Sequence, residues 1–152
     1  MGVFVNLDLS APDAPAAILQ LAHALQGAAS VVDSAQLLSD VLAREAILST
    51  YVGEGVALPH ARTDAVTARV VAVARSGDGV PFGPNGERAH LIVLVGCPRA
   101  DVSGYLAFSR QLLRHLREPG VRAGLLTARD PAQFLALLDL GVKAPAAGTA
   151  AP

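Results

Sequence analysis

The residues most able to do chemistry in this sequence gather around one histidine. His60 closes the stretch Gly53-Glu54-Gly55-Val56-Ala57-Leu58-Pro59-His60, and Arg62 follows two residues later. The glycines let the backbone turn and Pro59 fixes the approach, which gives the imidazole a defined direction. With an ordinary pKa of about 6.5, the ring is mostly neutral at pH 7 and keeps one lone pair. It is then a usable nucleophile or base. Arg44 ends the preceding helical pattern. Two guanidinium groups are poor company for an imidazolium and good company for a phosphate dianion. The residues therefore admit a phosphoryl group carried on His60, and equally a buried loop histidine.

The other reactive side chains suggest less. His23 and His115 fall on helical patterns and His90 starts a strand, so each reads as structural. No histidine pair has zinc spacing and no HExxH occurs, so no metal site is expected. The sequence lacks GxSxG, and Ser49 with Thr50 reads as a polar pair ending a helix. It also lacks the Gly-Lys-Ser/Thr of a phosphate-binding loop. Cys97 follows an apolar strand and precedes Pro98, which suits a buried small hydrophobe better than a reactive thiol.

These residues need elements to position them. Val3 to Leu7 suits a short strand. Ser10 or Asp13 can cap a helix over Pro15 to Gln26 with Ile18, Leu21, Ala22 and Leu25 inward, ended by Gly27. Ser34 can cap a second helix through Leu48, with Leu38, Val41 and Leu42 inward. Ser49 to Ala65 loses the helical period and reads as loop with at most one short strand. Ala68 to Ala74 and His90 to Gly96 are β-branched, apolar runs of strand length, the second central in a sheet. Gly77, Gly79, Gly83 and Gly86 mark the hairpin between them. Asp101 or Ser103 can cap a third helix with Tyr105, Phe108, Leu112 and Leu116 on one face. Glu118 to Thr127 and Asp130 to Leu140 suit two shorter helices. Helices before and after the strands predict an α/β domain, a mixed β-sheet flanked by helices on both faces.

Composition narrows the function. The chain has 152 residues, enough for a single domain with a sizeable core. With 52% hydrophobic and 16% charged residues it is not intrinsically disordered. A net charge of −1 argues against nucleic-acid or anionic-membrane partners. Aromatics at 4% with no Trp offer no base-stacking platform. One cysteine excludes an internal disulfide and suits a reducing cytosol. No apolar run reaches membrane-spanning length, and the N-terminus makes a poor signal peptide. Residues 143–152, rich in Ala, Pro, Gly and Thr, are expected to be a disordered tail after a domain spanning 1–142.

One resemblance gathers these features. Arg44-Glu45, Ser49-Thr50-Tyr51-Val52-Gly53 and Gly55-Val56-Ala57-Leu58-Pro59-His60-Ala61-Arg62 resemble the enzyme IIA domains of the mannitol/fructose type. These belong to the bacterial phosphoenolpyruvate-dependent sugar phosphotransferase system, and nitrogen-regulatory IIA proteins are in the same family. The likeness continues through Val70 to Arg75, Gly79-Val80-Pro81-Phe82 and His90 to Val95, and covers about Val3 to Gly141.

The resemblance implies that His60 takes a phosphoryl group from the histidine phosphocarrier protein and passes it to a cysteine or histidine of a IIB component. It implies that Arg44 supports the phosphate, with Arg62 nearby. The family often has a second histidine at the start of the helix after the apolar strand; here Tyr105 stands there and can donate only through its hydroxyl. The resulting expectation is a cytoplasmic phosphotransferase-system component with a covalent phosphohistidine and no cofactor, rather than a free-standing enzyme. The alternative is a regulatory IIA-like module that acts by phosphorylation-gated protein binding. Either way His60 should lie in a shallow depression, with Val52, Leu58 and Phe108 around it and Arg44 and Arg62 at its edge.

Overall fold

The computed structural model describes residues 2–139. The expected tail, 143–152, lies outside the described residues. Five helices pack on the two faces of a six-stranded mixed sheet, the architecture that the order of elements predicts.

The strands are β1 (Gly2–Asn6), β2 (Tyr51–Gly53), β3 (Val56–Ala57), β4 (His60–Thr63), β5 (Val70–Pro81) and β6 (Arg88–Pro98). The helices are α1 (Ala14–Ala24), α2 (Ser34–Ile47), α3 (Val102–Leu116), α4 (Pro119–Thr127) and α5 (Pro131–Leu138). β6 is the hub of the sheet. β5 runs antiparallel along one of its edges, and β1 lies parallel beyond β5. β3 and then β4 pair parallel with the opposite edge of β6, and β2 closes the sheet antiparallel to β3.

Alternation along β5 and β6 divides the core in two, because successive side chains in a strand point to opposite faces. Ala72, Ala74, Ile92 and Leu94 pack against α1 and α2 with Ile18, Leu21, Leu37 and Val41. Val71, Val73, Val93 and Val95 pack on the other face with Leu112, Leu116, Leu125 and Phe134. Val70 to Ala74 of β5 and Leu91 to Val95 of β6 are apolar and buried throughout because both faces are covered there.

Three of the five described helices begin on an aspartate cap. Asp13, Asp33 and Asp130 accept hydrogen bonds from Ala16 N (2.9 Å), Gln36 N (3.0 Å) and Gln133 N (2.8 Å), satisfying otherwise unpaired amides. Asp33 caps α2, not Ser34, which is its first residue. Leu37 is the buried contact that periodicity missed, while Leu38 and Leu42 are only half-buried. Asp101 makes no cap bond at α3; its carboxylate pairs with Arg69 at 3.1 Å. α1 closes without a left-handed glycine, Leu25 serving as its C-cap.

Two corrections concern the strands. Ser49 to Ala65 holds three short strands, not one, because each is only two to four residues long and shows no period. β5 also continues through Gly77 and Gly79, with a register irregularity between Arg75 and Val80, so the hairpin turn lies at Phe82 to Glu87.

One glycine sets the depth at which α2 sits. A Cβ on Gly96 of β6 would lie 2.9 Å from Leu37 Cδ1 and 3.1 Å from Val70 Cγ2. Its absence lets α2 seat against the sheet close to β4, with which α2 packs directly. Truncating Leu37 to alanine would cost about 2–5 kcal/mol.

Candidate functional site

Pro59 builds the local geometry. It has no N–H to give a sheet ladder, so the strand pairing along β6 is interrupted between Ala57 and His60. Its carbonyl still accepts from Val95 N at 3.0 Å, which keeps the segment on the sheet. β4 then starts at His60. Ala61 and Thr63 face α2, where Thr63 Oγ1 donates to Asp40 at 2.6 Å. Alternation sends His60 and Arg62 to the opposite side.

The tautomer of His60 follows from one contact. Its Nδ1 lies 2.8 Å from the Leu58 carbonyl. A carbonyl can only accept, so Nδ1 carries the hydrogen and Nε2 keeps the lone pair. Burial, above all, holds the His60 pKa below the ordinary 6.5. The Leu58 carbonyl and Glu45 act upward, and Arg44 and Arg62 act downward. The ring is therefore neutral at pH 7, with Nε2 nucleophilic.

Tyr105, in the first turn of α3, stacks on this imidazole with ring centroids 5.0 Å apart and planes inclined by 28°. The stack limits rotation of the His60 ring. Burial pushes the Tyr105 hydroxyl up to about 12, so it remains a neutral donor at physiological pH. Beyond it, Cys97 is fully buried and burial raises its thiol pKa, which keeps it unreactive.

His60, Arg44, Arg62 and Tyr105 all line one surface depression of about 360 Å³. Arg44 Nη1 donates to the Leu48 carbonyl at 2.7 Å, anchoring the guanidinium across the end of its own helix. Arg99 and Asp40 complete the charged lining. Arg99 also pairs with Asp64 at 3.5 Å on the exposed rim, but Arg44 and Arg62 still outweigh Asp40, which makes the depression hospitable to a dianion.

The apolar surroundings differ from expectation. Val52 lines a separate depression with Leu113 and Leu116, Phe108 lies beneath Arg69 with the guanidinium carbon 4.9 Å from its ring, and Leu58 contributes its carbonyl. Ile47, 80% exposed at the end of α2, is the apolar wall instead. The short strands β2 and β3 turn Val52 away from the histidine.

Sequence reasoning missed Asp40, Ile47 and Arg99. Asp40 and Ile47 stand four residues before and three after Arg44, so helical spacing alone could have found them. Nothing in the sequence marks Arg99, which comes to the site only because β6 ends beside β4. Among the described residues no group of three or more His, Cys, Asp or Glu side chains could hold a metal ion. No helix among them is long and apolar enough to cross a membrane.

Comparison with known proteins shows what the whole chain is similar to. Residues 3–140 match the family described as phosphoenolpyruvate-dependent sugar phosphotransferase system, EIIA 2. The chain is 37% identical over 104 residues to a fructose-specific EIIA component of Haloferax volcanii, covering 68% of each chain. It is 26% identical over 136 residues to a fructose-specific EIIABC component of Bacillus subtilis, covering 89% of this chain but only 21% of that protein. The crystal structure of the nitrogen regulatory protein IIA-Ntr from Neisseria meningitidis superposes with a TM-score of 0.81 at 25% identity, covering 88% of this chain and 92% of that one.

Proposed function

This chain belongs to the EIIA 2 family of the phosphoenolpyruvate-dependent sugar phosphotransferase system, and on that premise we propose that it carries a phosphoryl group on Nε2 of His60. The observation that carries this reading is the hydrogen bond from Nδ1 to the Leu58 carbonyl, which leaves Nε2 unprotonated on a ring lining an arginine-rich depression. The donor is the phosphohistidine of the histidine phosphocarrier protein. Nε2 attacks phosphorus, the donor P–N bond breaks, and its electron pair returns to the donor imidazole. Arg44 and Arg62 meet the charge on the transferring oxygens, and the Tyr105 hydroxyl offers a neutral hydrogen bond.

The new imidazolium keeps its Nδ1 hydrogen on Leu58, which spreads the positive charge. A cysteine or histidine of a IIB component then attacks phosphorus, and the pair in the P–Nε2 bond returns to His60. The fused EIIABC relative supports a IIB partner, since its name joins the A and B components in one protein. The surroundings would be cytoplasmic, where both partners are found.

The likeness to the Neisseria nitrogen regulatory protein favours a second reading, in which phosphorylation of His60 gates binding to a regulatory target. One experiment tests the shared step and then separates the outputs. The protein is incubated with phosphoenolpyruvate, enzyme I and the histidine phosphocarrier protein, and its mass is followed. The carrier reading expects an acid-labile, base-stable gain of one phosphate that is discharged by a IIB component. A gain that no IIB component discharges favours the regulatory reading; no gain with a competent donor overturns both.

A further inference from the structure

The turn after α2 is gripped by two adjacent side chains of opposite charge. Arg44 donates to the Leu48 carbonyl at 2.7 Å. Glu45 turns both carboxylate oxygens onto one residue, accepting from Thr50 N at 2.9 Å and from Thr50 Oγ1 at 2.5 Å. Thr50 is only 5% exposed and Glu45 is half-buried, so this is a partly buried, charge-assisted clamp and not a fully solvated surface pair. The held residue passes its position on. The Thr50 carbonyl accepts from Leu58 N at 3.0 Å, and the Leu58 carbonyl accepts from His60 Nδ1 at 2.8 Å. Three hydrogen-bonded links thus run from the Glu45 carboxylate to the imidazole.

We propose that Glu45 is a positioning residue for His60: by clamping Thr50 it fixes the Leu58 carbonyl, which selects the Nδ1–H tautomer and leaves Nε2 as the nucleophile. This rests on the reading of His60 as the phosphoryl acceptor. Leu58 is followed by Pro59, so the peptide that carries the selecting carbonyl has no N–H with which to anchor itself in a strand. The amide of Leu58 provides that anchorage, and its acceptor is the residue Glu45 holds. The carboxylate is also the negative charge that favours the protonated ring, offsetting Arg44 and Arg62. It thereby favours the imidazolium that phosphorylation creates.

The test reads the tautomer directly. The ¹⁵N shifts of His60 are recorded by NMR for wild type, Glu45→Ala, Glu45→Gln and Thr50→Val, together with the rate of phosphoryl acceptance. Wild type should show the Nδ1–H tautomer alone. Glu45→Ala should show a mixture and accept phosphate about 10- to 100-fold more slowly, as expected when a reacting group is loosely held. Glutamine can accept from Thr50 N and donate to Thr50 Oγ1, so Glu45→Gln should restore the single tautomer and most of the rate. Thr50→Val keeps one of the two clamp bonds; it should fall between, and it carries the test if Glu45→Ala does not fold. A folded Glu45→Ala, or failing that Thr50→Val, with the wild-type tautomer would overturn the proposal. So would a Glu45→Gln as mixed as the alanine variant. The NMR arm needs no phosphoryl donor, so failure of the carrier reading appears separately, as a wild type that takes no phosphate.

Discussion

His60 and His115 are held alike and placed differently. His60 gives its Nδ1 to the Leu58 carbonyl at 2.8 Å; His115 gives its Nε2 to the Leu137 carbonyl at 2.7 Å. In the neutral ring each contact places the hydrogen on one nitrogen and the lone pair on the other. The His60 depression presents Arg44, Arg62 and Arg99 against Asp40. The His115 depression, about 190 Å³ between α3 and α5, presents Arg114 against Glu118 and Asp139. Among the described residues, the first carries an excess of positive charge, which suits a phosphate dianion, and the second an excess of carboxylate, which does not. A carbonyl bond can orient any histidine; the charges around the free nitrogen decide what it can accept.

The strongest way to break this comparison is to remove each ring in turn. His60→Ala should abolish the phosphate mass gain, and His115→Ala should leave it intact. A gain that survives His60→Ala and disappears with His115→Ala would reverse the assignment.

Charge comes next. Arg44→Ala should slow acceptance about 100-fold, the scale for losing a donor aimed at transition-state charge. Arg44→Lys should lie between it and wild type, because an ammonium keeps the charge without the planar fork. Both variants also lose or weaken the bond to the Leu48 carbonyl. A melting curve therefore accompanies the rates, with a stability cost of about 1 kcal/mol expected. Equal rates in all three proteins would remove Arg44 from the site.

Tyr105 separates stacking from hydrogen bonding. Tyr105→Phe keeps a ring against His60 and should slow acceptance only about 2- to 10-fold, the worth of one neutral hydrogen bond. Tyr105→His should quicken transfer by placing an imidazole, able to donate as a neutral or a cationic ring, beside the phosphoryl group. A phenylalanine variant at the wild-type rate would assign the whole role to the stack.

The smallest effect is in stability against pH. The folded His60 has a pKa below that of the unfolded chain, so between the two values the unfolded chain binds more protons. Stability should fall as the pH drops below about 6.5 and level off below the folded pKa. His60→Gln should lack that portion of the slope in urea midpoints measured across pH. An unchanged slope would mean that the ring is not held neutral.

Much of the fold was legible because burial leaves a period. The runs ARVVAVA and HLIVLVG have the length and β-branched content of buried strands, the first covered on at least one face and the second central, and Tyr105, Phe108, Leu112 and Leu116 have the spacing of one helix face. The segment from Ser49 to Ala65 left no such trace, because β2, β3 and β4 are too short to repeat anything. Leu37 was missed for a related reason. Leu37 and Leu38 both fit the helical period with Val41, and the room that Gly96 leaves for Leu37 lies fifty-nine residues away in sequence.

By itself the sequence determined the candidate nucleophile, its two flanking arginines and the layered α/β architecture, since those rest on residue type, local spacing and period. The tertiary structure alone decided which nitrogen of His60 is free, because that depends on where the Leu58 carbonyl points. It alone brought Arg99 from the end of β6, laid Tyr105 on the imidazole and turned Val52 away. These are contacts between elements far apart along the chain, and no local pattern encodes a distance across a sheet.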